Sequence, residues 1–297
     1  MQKFIQKYLL LFAMIIGTLF HRHLLFLAPA IPFLLALMLF ITYCRVKWSD
    51  VKLTKFHYIL LAIQYTGSML VYIALRPINE IVAQAAMICV LISTATAAPV
   101  ITGILGGNVA SVAAYAVISN LLMALMAPFF LSIIGYASEN ISFFASFWHI
   151  FRWVMPILIV PFVAAYLLSK VSQKAHASVK SAQIVSFYLW AISLTVLIAV
   201  VTTFVRYHNK GNYLLFGAIA LSSLVICILQ FLLGRKIGAR FNEAVAGGQS
   251  LGQKNTILAI WLTQTYLNPV ASLGPGLYVL WQNLINAYQI WKQKQLK

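Results

Sequence analysis

The chain has 297 residues, of which 62% are apolar and only 8% charged. A soluble globular domain carries about 25% charged residues, so this composition excludes one and calls for a surface that faces lipid. Twenty-one Lys and Arg against four Asp and Glu leave a net charge of +17. The basic residues sit between apolar runs, so the excess reads as a membrane-topology signal rather than a nucleic-acid footprint, and no nucleic-acid partner is expected.

A bilayer crossing needs about 17 to 25 apolar residues. In chain order the candidate spans are Phe4–Phe20, Leu24–Thr42, Phe56–Leu75, Glu80–Gly107 and Asn108–Ile134, then Ser146–Ser169, Ala182–Val205, Tyr213–Leu233, Ala239–Leu267 and Asn268–Ile290. That is an all-α polytopic membrane protein of ten transmembrane helices with short connections. Lys3 and Lys7 precede the first span as they would in a signal peptide. The span ends in His21-Arg22-His23 without a small-residue cleavage pattern, so it is kept as a helix.

Fifteen of the twenty-one basic residues fall on one side of this map, four on the other, and two (Arg152 and Lys254) within spans. The rich side holds the N-terminus, the loops with Arg45 to Lys55, Lys170 to Lys180 and Arg235 to Arg240, and the C-terminal tail. Basic loops stay in the cytoplasm. The expectation is a multi-pass protein of the inner (plasma) membrane with both termini cytoplasmic. Nothing in the sequence sets an oligomeric state.

The fourth and ninth spans are long and interrupted. The fourth contains Ser93-Thr94-Ala95-Thr96-Ala97-Ala98-Pro99, where proline removes a backbone donor and disfavours helical geometry at Ala98. The ninth contains Gly247-Gly248-Gln249-Ser250-Leu251-Gly252-Gln253-Lys254-Asn255, whose three glycines and polar side chains weaken a helix. The breaks fall in the fourth helix of each group of five. An odd number of spans per half sets the halves in opposite orientations, which predicts two inverted five-helix repeats, 1–143 and 144–297. In secondary transporters of this plan the substrate site lies where the broken helices cross. Unwound backbone in mid-membrane must line a protein cavity, because lipid satisfies no hydrogen bonds. The blander reading is two ordinary kinks, with the ninth span part loop.

Two stretches resemble the bile acid:sodium symporter family. One runs from Thr96 to Gly107-Asn108-Val109-Ala110. The other is Gly252-Gln253-Lys254-Asn255 with Val279-Leu280-Trp281-Gln282-Asn283 downstream. The resemblance implies ten helices split into a core domain, which holds the crossing broken helices, and a panel domain, each drawn from both repeats. It implies that Thr96 and Asn255 touch the substrate, with Asn283 as an outer candidate, and that Gln64 belongs to an ion site. The chain also departs from the family pattern. Positions where the family binds sodium read Ala98, Pro99 and Ser250, the glutamine that follows in the second break falls at Lys254, and hydroxyl positions of the fifth span read Val112 and Ala116.

Sodium wants several oxygens and usually a carboxylate. The four acids, Asp50, Glu80, Glu139 and Glu243, lie outside both breaks, whereas Lys254 lies inside one. A lysine there costs about 2.5 to 3.5 kcal/mol on insertion scales. The expectation is that the Lys254 ammonium stands in for sodium, solvated by Gln64, Ser250, Thr96 and freed carbonyls, in a carrier of a small organic anion. Such a carrier needs no cofactor and leaves room for proton coupling. The contrary reading places Lys254 in a shallow loop, with its ammonium at the interface.

Other residues carry less. Cys44, Cys89 and Cys227 are far apart, and the six histidines have no metal-ligand spacing. Gly103-x-x-x-Gly107 and Ala110-x-x-x-Ala114 suit close helix packing. A sodium-coupled symporter of the same fold is one alternative. An intramembrane lipid-modifying enzyme is the other, although Glu80, Glu139 and His149 form no catalytic motif, so no enzyme activity is expected.

Overall fold

The structure is a computed structural model describing residues 12–46, 51–134, 142–208 and 212–295. The expected start of the first span at Phe4, and the charges of Lys3, Lys7, Lys47, Asp50, Glu139, Lys210 and Lys297, lie outside those residues. All regular structure among the described residues is helical. Residues 12–19 form α1. Helix α2 (His21–Leu24), a 3₁₀ turn (Leu25–Ala30) and α3 (Ile31–Tyr43) run on as one apolar segment. Then come α4 (Lys55–Leu75), α5 (Glu80–Leu91), α6 (Ala98–Ile104) and α7 (Val109–Ile134). The second half comprises α8 (Phe143–Val171), α9 (Gln173–Ser181), α10 (Gln183–His208), α11 (Tyr213–Ala239), α12 (Ala244–Gly252), α13 (Thr256–Tyr266) and α14 (Leu273–Gln295). A 3₁₀ turn, Pro269–Ser272, leads into α14.

Among the described residues, six helical segments are long and apolar enough to cross a membrane. Large apolar side chains such as Phe33, Phe144 and Leu214 are exposed on the outside. A polar solvent would penalise that surface, and a hydrocarbon one does not. The chain is a multi-pass membrane protein. Helix α5 differs from its neighbours: every residue from Val82 to Leu91 is buried. A helix apolar on all sides belongs in a core, and the Asn79 side chain caps its start by accepting from the N–H groups of Ile81 and Val82.

Both interrupted spans are broken, but the second break is shorter than the sequence suggested. The first runs from Ile92 to Ala97, and Pro99 opens α6 instead of kinking a longer helix. The second covers only Gln253 to Asn255; Gly247 and Gly248 are helical, inside α12. Their glycine character serves packing. A Cβ on Gly247 would strike the carbonyl oxygen of Gly234 in α11, and a Cβ on Gly234 would strike that of Gly247. Backbone therefore lies directly on backbone where these helices meet.

Helix α6 ends in a Schellman turn: Gly107 N–H donates to the Thr102 carbonyl at 2.8 Å and Gly106 N–H to that of Gly103 at 3.1 Å. Gly106 sits at φ 70°, which only glycine adopts freely. Of the small-residue pairs, Gly107 packs as expected, against Val245 of α12, whereas Gly103 lines a cavity. The connection between the sixth and seventh spans, read as a loop, contains α9, capped by the Ser172 hydroxyl.

Gly247→Ala is expected to destabilise the protein by about 1 to 3 kcal/mol through overpacking. Gly276→Ala, inside α14 where an added Cβ meets nothing within 4 Å, is expected to keep stability or raise it by up to about 1 kcal/mol. Thermal unfolding of the two variants in detergent checks the contrast.

Candidate functional site

The two breaks cross and bond to each other. Ala95 N–H donates to the Gln253 carbonyl at 2.9 Å, and Asn255 N–H donates to the Ser93 carbonyl at 2.9 Å. Thr94 and Lys254 thus form a single antiparallel bridge. The Thr94 hydroxyl adds a bond to the Ser250 carbonyl at 2.6 Å. Each broken segment supplies part of what the other lacks after losing its helical partners.

Flanking helices supply the rest. From α7, Asn120 accepts from the Ser93 hydroxyl at 2.9 Å, and its amide donates to the Ala116 carbonyl at 2.7 Å and the Thr94 carbonyl at 3.4 Å. From α14, Gln282 accepts from the Lys254 N–H at 2.8 Å. From α4, the Gln64 amide donates to the carbonyls of Leu91 at 2.7 Å and Ile92 at 3.2 Å, while its oxygen accepts from the Tyr115 hydroxyl at 2.7 Å.

Lys254 is 1% exposed, which rules out a shallow loop with its ammonium at the interface. Its Nζ donates to the carbonyls of Val90 at 2.9 Å and Ile92 at 3.1 Å, both freed as α5 ends. Its solvation differs from the expected set. Gln64 does not bond to the ammonium but donates to the same Ile92 carbonyl. Ser250 contributes its carbonyl to Thr94, and its buried hydroxyl has no partner among the described residues. Thr96 makes no bond to Lys254. The reason is geometric: the end of α5 already offers two unpaired carbonyls within reach of the side chain. The described acids are engaged elsewhere, Glu80 by Arg76 at 3.1 Å and Glu243 by Asn108 at 2.7 Å.

Two cavities meet at the crossing. The larger, about 540 Å³, runs from Thr96 and Asn120 along α6 and the first half of α7 to Arg45 and Lys180. The smaller, about 90 Å³, is lined by Thr96, Lys254, Asn255, Asn283 and Trp190. Thr96 lines both. Asn255 caps α13, its oxygen accepting from Leu258 N–H at 3.4 Å, and the Asn283 amide donates to the Val279 carbonyl at 2.7 Å. The structure thus brings Thr96, Lys254, Asn255 and Asn283 to one place, with Gln64 and Ser250 just behind the breaks.

Sequence reading missed Thr94, Asn120 and Gln282 as braces of the crossing. Asn120 had a signal. It lies on the face of α7 that carries Ala113, Ala116 and Val117, and a lone amide on an apolar span marks a buried partner. Val112 and Ala116, at the family's hydroxyl positions, are buried and apolar.

An all-helical bundle with two crossing broken helices and cavities at the crossing is the architecture of a membrane transport protein. Comparison with known protein families matches residues 32–216 to the Sodium Bile acid symporter family, and the chain belongs to that family. The match covers the first break, while the second lies beyond it. No curated protein matches the chain.

Thr94→Val keeps the side-chain shape but removes the bond to the Ser250 carbonyl. It is expected to cost about 1 to 3 kcal/mol of stability. Chemical denaturation in detergent, with Thr66→Val as the exposed-site control, measures the difference.

Proposed function

We propose that this protein is a secondary active carrier of a small organic anion, working by alternating access around the crossing of its two broken helices. Residues 1–143 and 144–297 form its two inverted five-helix repeats. In each, a broken helix is followed by a long one: α5 and α6 by α7, and α12 and α13 by α14. In folds of this plan one domain rocks against the other about a fixed site. The larger cavity opens at the end carrying Arg45 and Lys180, which by loop charge is the cytoplasmic end.

The observation that carries the coupling proposal is the position of the Lys254 ammonium against the carbonyls of Val90 and Ile92. Freed carbonyls of a broken helix are the groups that hold a coupling cation in such carriers. Here a tethered cation fills that role, and the described acids bond elsewhere. Lys254 and Gln64 then form the ion-coupling element, with Ser250 holding the second break to the first through its carbonyl. Thr96, Asn255, Lys254 and Asn283 line the path that the cargo takes. Transport by this arrangement requires no sodium, and coupling to protons through the Lys254 amine is compatible with it.

The family description itself favours a second reading, a sodium-coupled symporter of the same fold. One experiment separates the two. Purified protein in proteoliposomes is assayed for counterflow of radiolabelled taurocholate, a bile acid conjugate, and of a panel of small carboxylates. Under the proposal, exchanging sodium for choline at fixed pH leaves counterflow unchanged, and Lys254→Met abolishes it. Loss of counterflow in choline overturns sodium independence and supports the symporter. Counterflow retained in Lys254→Met removes Lys254 from the mechanism.

A further inference from the structure

The larger cavity has two chemically different ends. At the crossing it meets the Thr96 hydroxyl, which makes no hydrogen bond among the described residues, and the Asn120 amide, whose groups are already bonded to the first break and to Ala116. Its walls in between are aliphatic, with Val100, Ala113 and Val117 as examples. At the far end stand Arg45, just beyond α3, and Lys180, in the last turn of α9. No carboxylate lines the cavity among its described residues. Arg45 is half-buried and Lys180 exposed, so the Arg45 charge is less screened than one in open solvent. Helix α9 is a built element: Ser172 caps its start by accepting from Ala175 N–H at 3.2 Å, and a cation suits its end.

A carrier of anions needs positive potential where cargo enters. Lys254 supplies little of it to the larger cavity, because its ammonium is buried against two carbonyls and it lines only the smaller one. We infer that Arg45 and Lys180 form the site that captures and holds the anionic group of the cargo, with an apolar body lying along the α6–α7 wall towards Thr96. A guanidinium offers a planar fork to a carboxylate or sulfonate, and the lysine adds a point charge. Calling the anion a cargo rests on the carrier reading; the location of the anion site does not.

The test places a cysteine on the cavity wall, Ala113→Cys. The native Cys44, Cys89 and Cys227 are buried, and the unsubstituted chain serves as the labelling background. Rates of modification are measured with an anionic methanethiosulfonate (the ethylsulfonate) and a cationic one (the ethyltrimethylammonium). Focused charge at a cleft mouth changes encounter rates by about tenfold or more. The anionic-to-cationic rate ratio is therefore expected to fall by about tenfold in R45Q/K180Q and to be kept in the charge-retaining R45K/K180R. Taurocholate, whose sulfonate is ionised, is expected to protect Ala113→Cys, and to lose that protection in R45Q/K180Q. An unchanged rate ratio in R45Q/K180Q overturns the anion site. Equal protection with and without the two charges, or no protection in any background, overturns its role in holding an amphipathic anion. A charge-dependent ratio in protein that shows no counterflow would keep the site and remove the carrier reading instead.

Discussion

Hydrocarbon accepts and donates no hydrogen bonds, so any backbone freed in mid-membrane must find its partners within the protein. Most features of this molecule answer to that constraint. Once α5 stops at Leu91 and α12 at Gly252, their end carbonyls and the following N–H groups are orphaned. They are satisfied by the opposite break, by side chains from α4, α7 and α14, and by one lysine. The burial of α5 from Val82 to Leu91 follows. It has to bring its C-terminal carbonyls to the centre, where partners can surround them.

The same constraint explains why Lys254 is tolerated. An isolated ammonium in the core would be expelled or neutralised. Two carbonyls pointing the same way make a receptor for a cation, whether that cation is free or tethered. A tethered one is always present at saturating local concentration. In the proposed carrier it takes the place of an external ion, and through its bonds to the Val90 and Ile92 carbonyls it ties the second break to the end of α5.

How much of this was legible in the sequence varies with the length scale of the interaction. Long apolar runs marked the membrane character and the six long spans seen among the described residues, because bilayer thickness acts on whole segments. Pro99 pointed to the first break, but the break ends at Ala97, and Ala98, expected to leave helical geometry, is the first residue of α6. The second was overextended because Gly247 and Gly248 lower helix propensity, yet in α12 they permit backbone contact with Gly234 that repays it; tertiary packing overrode the local preference. The family match over residues 32–216 agrees with the resemblance read from the first break. The solvation of Lys254 was only half legible. That freed carbonyls would approach it followed from the break itself, but that Gln64 would serve the carbonyls rather than the ammonium depends on how α4 packs beside α5, which no spacing reports.

Thr96 lines the larger cavity on one side and the smaller on the other. The first break, with its strand-like main chain, therefore stands between the two cavities at this point. In the proposed carrier a partition built of one short segment shortens the journey: a solute resting against it needs only the crossing to shift past, not a passage through a stack of helices.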